Sequence, residues 1–263
     1  LDSEGAPRDG RRSIVIEPFT SATIVDSLKG LFVPAETIGT QFTKGMMGRD
    51  SAGANWYMDQ NVVSQTFGSY SGKTLTVDTT SASFGIATGW AQTSTITLVA
   101  SSSLTLNQGD VIQIAGVYAV NPQNRSAYGS GKLRNFVVTS TTAVSTGGGT
   151  SVTVSPAIIT GGQFQNVTVT STSATAAVTP FNNTGTVSPQ NIIMHRNAFT
   201  LATADLELPD GVHFAGRASD KDLGLSIRVV RQYTINNDSI PTRLDVLYGW
   251  APLYPELACR VAA

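Results

Sequence analysis

LTLNQGDVIQIAGVYAVNP, residues 104–122, reads as strand, turn, strand and stop. Leu104 and Leu106 on one side, and Val111, Ile112 and Ile114 on the other, bracket Asn107-Gln108-Gly109-Asp110. A glycine in such a loop takes positive φ at no steric cost, as a short connection between strands requires. Asn121-Pro122 ends the second strand, because proline has no N–H to give to a ladder. The expectation is a β-hairpin at the centre of a β-rich module.

Outward from that stretch, short strands recur. Candidates lie at 95–99, 103–106, 111–115, 136–139, 151–154 and 166–170. Thr95-Ile96-Thr97-Leu98, Val152-Thr153-Val154 and Val167-Thr168-Val169 alternate apolar with hydroxyl residues. That period gives a half-buried antiparallel sheet with one apolar face. Gly147-Gly148-Gly149 reads as a turn between two of the strands. Six short strands in sequence predict a small barrel or sandwich, since closure removes exposed edges.

Charge marks the limits of this module. Residues 1–73 hold eight acids and seven bases, and residues 188–263 hold the same numbers. Between them, 74–187 carry only Asp78, Asp110, Arg125, Lys132 and Arg134. A shift that sharp predicts a β-domain over 74–187, inserted into a body made of 1–73 and 188–263. In the first flank, Ile14-Val15-Ile16 reads as a buried strand. A helix is predicted over 21–32, with Thr20 or Ser21 as its cap and Leu28 as its most buried position. In the last flank, a strand over 223–233 is expected to turn at Asn236-Asn237-Asp238 and pair with a returning strand over 243–248.

The bulk properties exclude several functions. Charged residues are 13% of the 263-residue chain, about half the usual share, and the net charge is −1. There is no basic excess to draw nucleic acid by counterion release. A single cysteine, Cys259, rules out an internal disulfide framework and reads as a buried structural thiol. No apolar run approaches the ~20 residues of a membrane span, and 1–12 is polar rather than leader-like. Leu1 opens in turn chemistry and runs straight into a strand, so the chain is expected to start inside a longer protein.

Chemistry-bearing patterns are few. His195, His213 and Cys259 stand in no metal-ligand spacing, and a zinc site needs four ligands or three plus water. Gly68-Ser69-Tyr70-Ser71-Gly72 puts tyrosine where a hydrolase elbow needs its nucleophile. Gly131-Lys132 lacks the phosphate-loop partners, because Ser126 and Leu133 occupy those places. Asp205, Glu207, Asp210, Asp220 and Asp222 do not follow calcium-loop spacing and read as solvated or partner-facing. Arg228, Arg231 and Arg243 are candidates to pair with Asp205 and Glu207, within the chain or between subunits.

Taken in order, PFTSATIVDSLKGLF (18–32), LNQGDVIQIAGVYAVNP (106–122), RNFVVTSTTAV (134–144), SVTVSPAII (151–159), NIIMHRNAFTLATADLELP (191–209) and GLSIRVVRQYTINNDSIPTRLDVLYGW (224–250) resemble phage major coat proteins of the P22 type. The resemblance implies an α+β coat core of the HK97 fold, split in sequence by an inserted six-stranded all-β barrel. It implies a structural protein with no catalytic site, cofactor or metal. Its copies would form the hexamers and pentamers of an icosahedral shell, with scaffolding and portal proteins as partners. The shell would enclose DNA without reading its sequence and without a membrane. The location would be the virion, after assembly in the host cytoplasm. An arm, an extended loop and a long helix precede the matched region in that family, which places Leu1 inside the core. A β-rich tail or surface adhesin, sharing the Ser/Thr/Gly strands and low charge, is the alternative.

Overall fold

The apolar–hydroxyl alternation does set which side chains turn inward. Ser94, Ile96, Leu98 and Ala100 are buried, while Thr95 is exposed and Thr97 and Val99 are half-buried. The computed structural model describes residues 1–28, 53–78, 84–128, 131–170, 176–181, 185–222 and 224–262. In chain order, β1 (Arg12–Ile16), α1 (Pro18–Leu28), β2 (Asn55–Met58) and β3 (Ser64–Thr66) come first. Then follow β4 (Leu75–Val77), β5 (Ser94–Ala100), β6 (Leu104–Leu106), β7 (Val111–Ala119), β8 (Leu133–Val138), β9 (Thr142–Val144), β10 (Thr150–Ser155), β11 (Val167–Val169) and β12 (Ala177–Pro180). β13 (Val187–His195), β14 (Phe199–Ala204), β15 (Phe214–Asp220), β16 (Leu225–Arg231), β17 (Thr242–Asp245), β18 (Leu247–Pro252) and β19 (Ala258–Ala262) complete the chain. The described structure is mostly β, with α1 as its one α-helix.

Six strands close a barrel in the order β7-β12-β4-β5-β10-β8, and β8 pairs back onto β7. Every pair in the ring is antiparallel. The closing pair carries a register shift between Gln113 and Tyr118. Gly116, at φ +83°, lies in that interval, and such a bulge bends the strand as closure requires. β7 is long enough to serve two neighbours along one edge. Ile112–Ile114 pairs with β12, and Val117–Ala119 pairs with β11, which stands outside the ring. The interior is filled by Ile96, Leu98, Ile112, Ile114, Phe136 and Val152, all with no exposed surface. Each side chain of this kind contributes roughly 1.5–3 kcal/mol on burial.

The six expected strands are all present, but they are not the six of the ring. Four of them, β5, β7, β8 and β10, belong to it. The ring takes β4 and β12 instead of β6 and β11. The expected hairpin over 104–122 is also corrected. β6 pairs with β9 and β7 with β8, β11 and β12, so the two strands flanking Asn107–Asp110 are not partners. The loop is pulled away from hairpin geometry because its groups bond outside it: Gly109 N donates to Val138 O at 2.8 Å, and Val138 N to Asp110 O at 2.8 Å.

A second sheet draws on both ends of the chain. Its order is β19-β13-β1-β2, with β3 also on β13. β1 and β2 are parallel. Ile14, Ile16 and Ala54 form a small core there, against which Ile24 of α1, Trp56 and Ile193 pack. Glu17 N donates to Asn191 Oδ1 at 2.8 Å, joining the front of the chain to its rear. The helix starts at Pro18, ahead of the expected 21. Proline suits a first helical position because its missing N–H would have no partner there. Ser21 N instead makes the first helical bond, to Glu17 O at 2.9 Å. The side chain of Leu28 and the continuation of the helix to 32 lie outside the described residues.

The chain forms two compact units, Leu1–Met194 with Cys259–Ala263, and His195–Ala258. In the second, β14 pairs with β18, and β15, β16 and β17 form an antiparallel sheet. The return of 243–248 onto 223–233 is found as β16–β17, with 236–238 in the connecting turn. The second half of RLDVLY leaves that sheet and enters β18.

Candidate functional site

The polar geometry concentrates where the barrel meets the five-stranded sheet. The chain enters the barrel through β3 and leaves it through the start of β13, and these two pieces pair antiparallel, Thr66 opposite Val187 and Gln65 opposite Ser188. Phe67 N donates to Thr186 O at 3.0 Å, and Gly185 N to Gly68 O at 3.0 Å, extending this neck toward the barrel. The loop 107–110 sits on the neck. Asn107 Nδ2 donates to Thr66 O at 3.0 Å, and Ser69 N to Thr105 O at 2.9 Å.

Asp110 is the centre of this junction. It has no exposed surface. Its Oδ2 accepts from Asn107 N at 2.8 Å and from Gly68 N at 3.1 Å, and its Oδ1 accepts from Gln65 Nε2 at 3.2 Å. Burial pushes its carboxyl above the ordinary carboxylate value, against the lowering pull of these donors and of Arg260. Burial, with the Asp110 charge nearby, likewise pushes the Tyr70 phenol up to about 12. Gly68 and Gly109 allow the close approach. A Cβ on Gly68 would stand 2.1 Å from Thr105 O, and one on Gly109, at φ +92°, 2.7 Å from Gln65 Oε1.

The last strand reaches the same place. Arg260 Nη2 donates to Gly109 O at 2.6 Å, and Nη1 to Gln65 Oε1 at 2.8 Å. Successive strand residues point to opposite sides. Arg260 therefore faces the neck while its neighbour Cys259 is exposed, which corrects the expected buried thiol. A second attachment joins the barrel to the chain's start. Arg134 Nη1 meets Glu4 Oε1 at 2.5 Å, and the Tyr128 hydroxyl donates to Ser3 O.

The predicted ion-pair residues lie in the His195–Ala258 unit, and their partners differ from those expected. Arg228 and Arg243 converge on Asp245, at 2.6 and 2.5 Å. Arg228 stands directly opposite Asp245 in the β16–β17 ladder, and Arg243, two residues before it, shares its face. The Arg228 hydrogen bonds are the main cause that holds the Asp245 carboxyl below its ordinary range. Arg228 Nη1 also reaches the backbone oxygen of Glu207, at 2.6 Å, rather than its carboxylate. Asp205 pairs with Arg217 at 3.5 Å, and Arg231 Nε donates to Thr242 Oγ1 at 3.4 Å. Asp205, Glu207, Arg228, Arg231 and Arg243 are therefore not mutual partners through their charged ends.

Gln65, Asp110 and Arg260 escaped the sequence reading. One signal was available: Asp110 is one of two acids in a segment of 114 residues otherwise nearly free of charge, next to a loop glycine. A lone carboxylate in such surroundings is retained only with dedicated donors. Arg260 and Gln65 carry no comparable mark.

The sequence profile of the family described as P22 coat protein, gene protein 5, matches residues 1–260. A solved structure described as the CUS-3 coat protein I-domain is similar at 26% identity, over 42% of this chain and 96% of that one, with a TM-score of 0.28. No curated protein matches the chain.

Proposed function

The chain belongs to the P22 coat protein family and is a structural capsid protein, and from that premise we propose that it is the major shell subunit of a phage. In this reading 74–187 is a domain inserted into a coat core of the HK97 fold built from 1–73 and 188–263. Copies assemble as hexamers and pentamers around DNA, in the host cytoplasm, with scaffolding and portal proteins. The family match over nearly the whole chain carries the reading.

Two features support it. The five-stranded sheet takes strands from both flanks of the barrel, as an interrupted body requires. The His195–Ala258 unit leaves Leu201, Leu244 and Trp250 at 62%, 70% and 74% exposure, on strands of two small open sheets. Leu201 and Trp250 face each other across β14 and β18, and exposed apolar pairs of this kind mark candidate protein contact surfaces. Asp205, Glu207, Arg231 and Arg243 lie on the same unit and are offered as rim charges between subunits.

Electron microscopy of the protein, co-expressed with the gene products encoded beside it, tests the proposal. Closed shells or six- and five-membered rings are expected. Monodisperse monomers under all such conditions would overturn it.

A further inference from the structure

We propose that Gln65 is a relay that locks the last strand, β19, and the barrel loop 107–110 into one element, so that the two open together. The inference concerns contacts inside one unit and holds for a free subunit as much as for an assembled one.

Three groups of different charge meet at the neck. Arg260 is a cation with two prongs in use, one on Gly109 O and one on Gln65 Oε1. Asp110 is a buried carboxylate with three donors. The two charges lie beyond ion-pair distance, and Gln65 stands between them. Its amide is turned so that each end meets its complement. The oxygen accepts from the guanidinium, while the nitrogen donates to the Asp110 carboxylate at 3.2 Å and to Gln108 O at 3.0 Å. The reverse orientation would set NH₂ against the cation and carbonyl oxygen against the anion. The amide dipole is thus fixed from both sides.

That geometry couples distant parts of the chain. β19 is an edge strand whose neighbour in the sheet is β13. If it lifts away, Gln65 loses the cation that orients it, and Gly109 O loses its donor. The Gln108 and Asp110 acceptors then face an amide free to rotate. If the loop opens first, Arg260 loses Gly109 O and its second acceptor becomes mobile. A polar chain of this kind strengthens when complete and weakens as a whole when one member is removed. Gly109 belongs to the device, since any side chain there would displace the Gln65 amide.

Native-state amide exchange on the whole protein tests the relay. In Arg260→Ala, exchange at 107–110 and along β19 should both rise by roughly tenfold or more, the factor a lost charged hydrogen bond commands. Amides of β5 and β10, deep in the barrel, should not change. Asp110→Asn should raise the same two sets. Because both residues bind Gln65, part of the two effects is shared, and the double variant should fall well short of the product of the single effects. Factors that multiply would mean independent sites and would overturn the proposal, as would a rise confined to one of the two segments. If Arg260→Ala does not fold, Gln65→Leu, which removes the relay itself and keeps both charges, is read by the same two segments.

Discussion

The barrel and the His195–Ala258 unit are both antiparallel β-structure, yet they bury their apolar residues differently. In the barrel, closure turns one face of every strand inward, and Phe136, Ile112 and Leu98 reach zero exposure. In the second unit, a three-stranded and a two-stranded sheet have no ring to close, and Ile235 and Trp250 stay 82% and 74% exposed. Charge runs the opposite way. The barrel places Asp110 and Arg134 at its attachments, whereas the second unit places Arg228, Arg243 and Asp245 on a strand pair. The barrel buries its apolar face within itself, and under the shell-subunit proposal the exposed apolar residues of the other unit are covered by a neighbour.

The sharpest test of that contrast is a pair of truncations. Phe136→Ala should destabilise the barrel by about 3–5 kcal/mol in urea unfolding, through lost burial and a cavity. Trp250→Ala should shift the unfolding of the isolated subunit by less than about 0.5 kcal/mol, as exposed positions do. The same substitution should nevertheless abolish shell assembly seen by electron microscopy. Equal unfolding costs would break the comparison.

Two glycines give the next largest difference. Gly109→Ala must place a Cβ at φ +92° and push aside Gln65, so a loss of about 2–3 kcal/mol is expected in thermal or urea melts. Gly211→Ala, at φ +79° with open space around it, should cost only the backbone strain, about 1–2 kcal/mol.

Acid should separate the regions by sign. Asp110 has a raised carboxyl value, so its linked stability is present at low pH and is lost as pH rises through the folded value. Asp245 has a lowered one, so its contribution is present above the ordinary carboxylate range and is lost as pH falls through the depressed value. Amide exchange followed from about pH 6 to about pH 3 should therefore show β16 and β17 losing protection before the loop 107–110 does. The smallest effect is expected at Arg243. Its side chain is 77% exposed, and Arg243→Ala should leave protection of β17 nearly unchanged, while Arg228→Ala, on a half-buried partner, should lower it.

Much of the strand map was legible because alternation is local. Ile96 and Leu98 point inward for the same reason they alternate with threonines, and the turn at 236–238 announces itself by its residue types. The helix starts at Pro18 rather than at 21 because proline is an accepted first helical residue, whereas the expectation rested on Thr20 or Ser21 as the cap. The hairpin expectation failed at 107–110 because a loop's conformation depends on what its groups bond to, and here those partners are Gly68, Val138 and Arg260. The ion pairs within the His195–Ala258 unit take Asp245 and Arg217, which were not among the expected residues, because strand register sets which side chains face each other.

The sequence by itself determined where six strands of the β-module lie, which of their faces are apolar, and that a charge-poor stretch stands between two charged flanks. Only the tertiary structure decided that β4 and β12 complete the ring, that β6 joins β9, and that Gln65 and Arg260, 195 positions apart, meet over Gly109. Side-chain alternation is a property of consecutive residues, whereas pairing and docking are chosen by which distant groups satisfy one another once water is excluded.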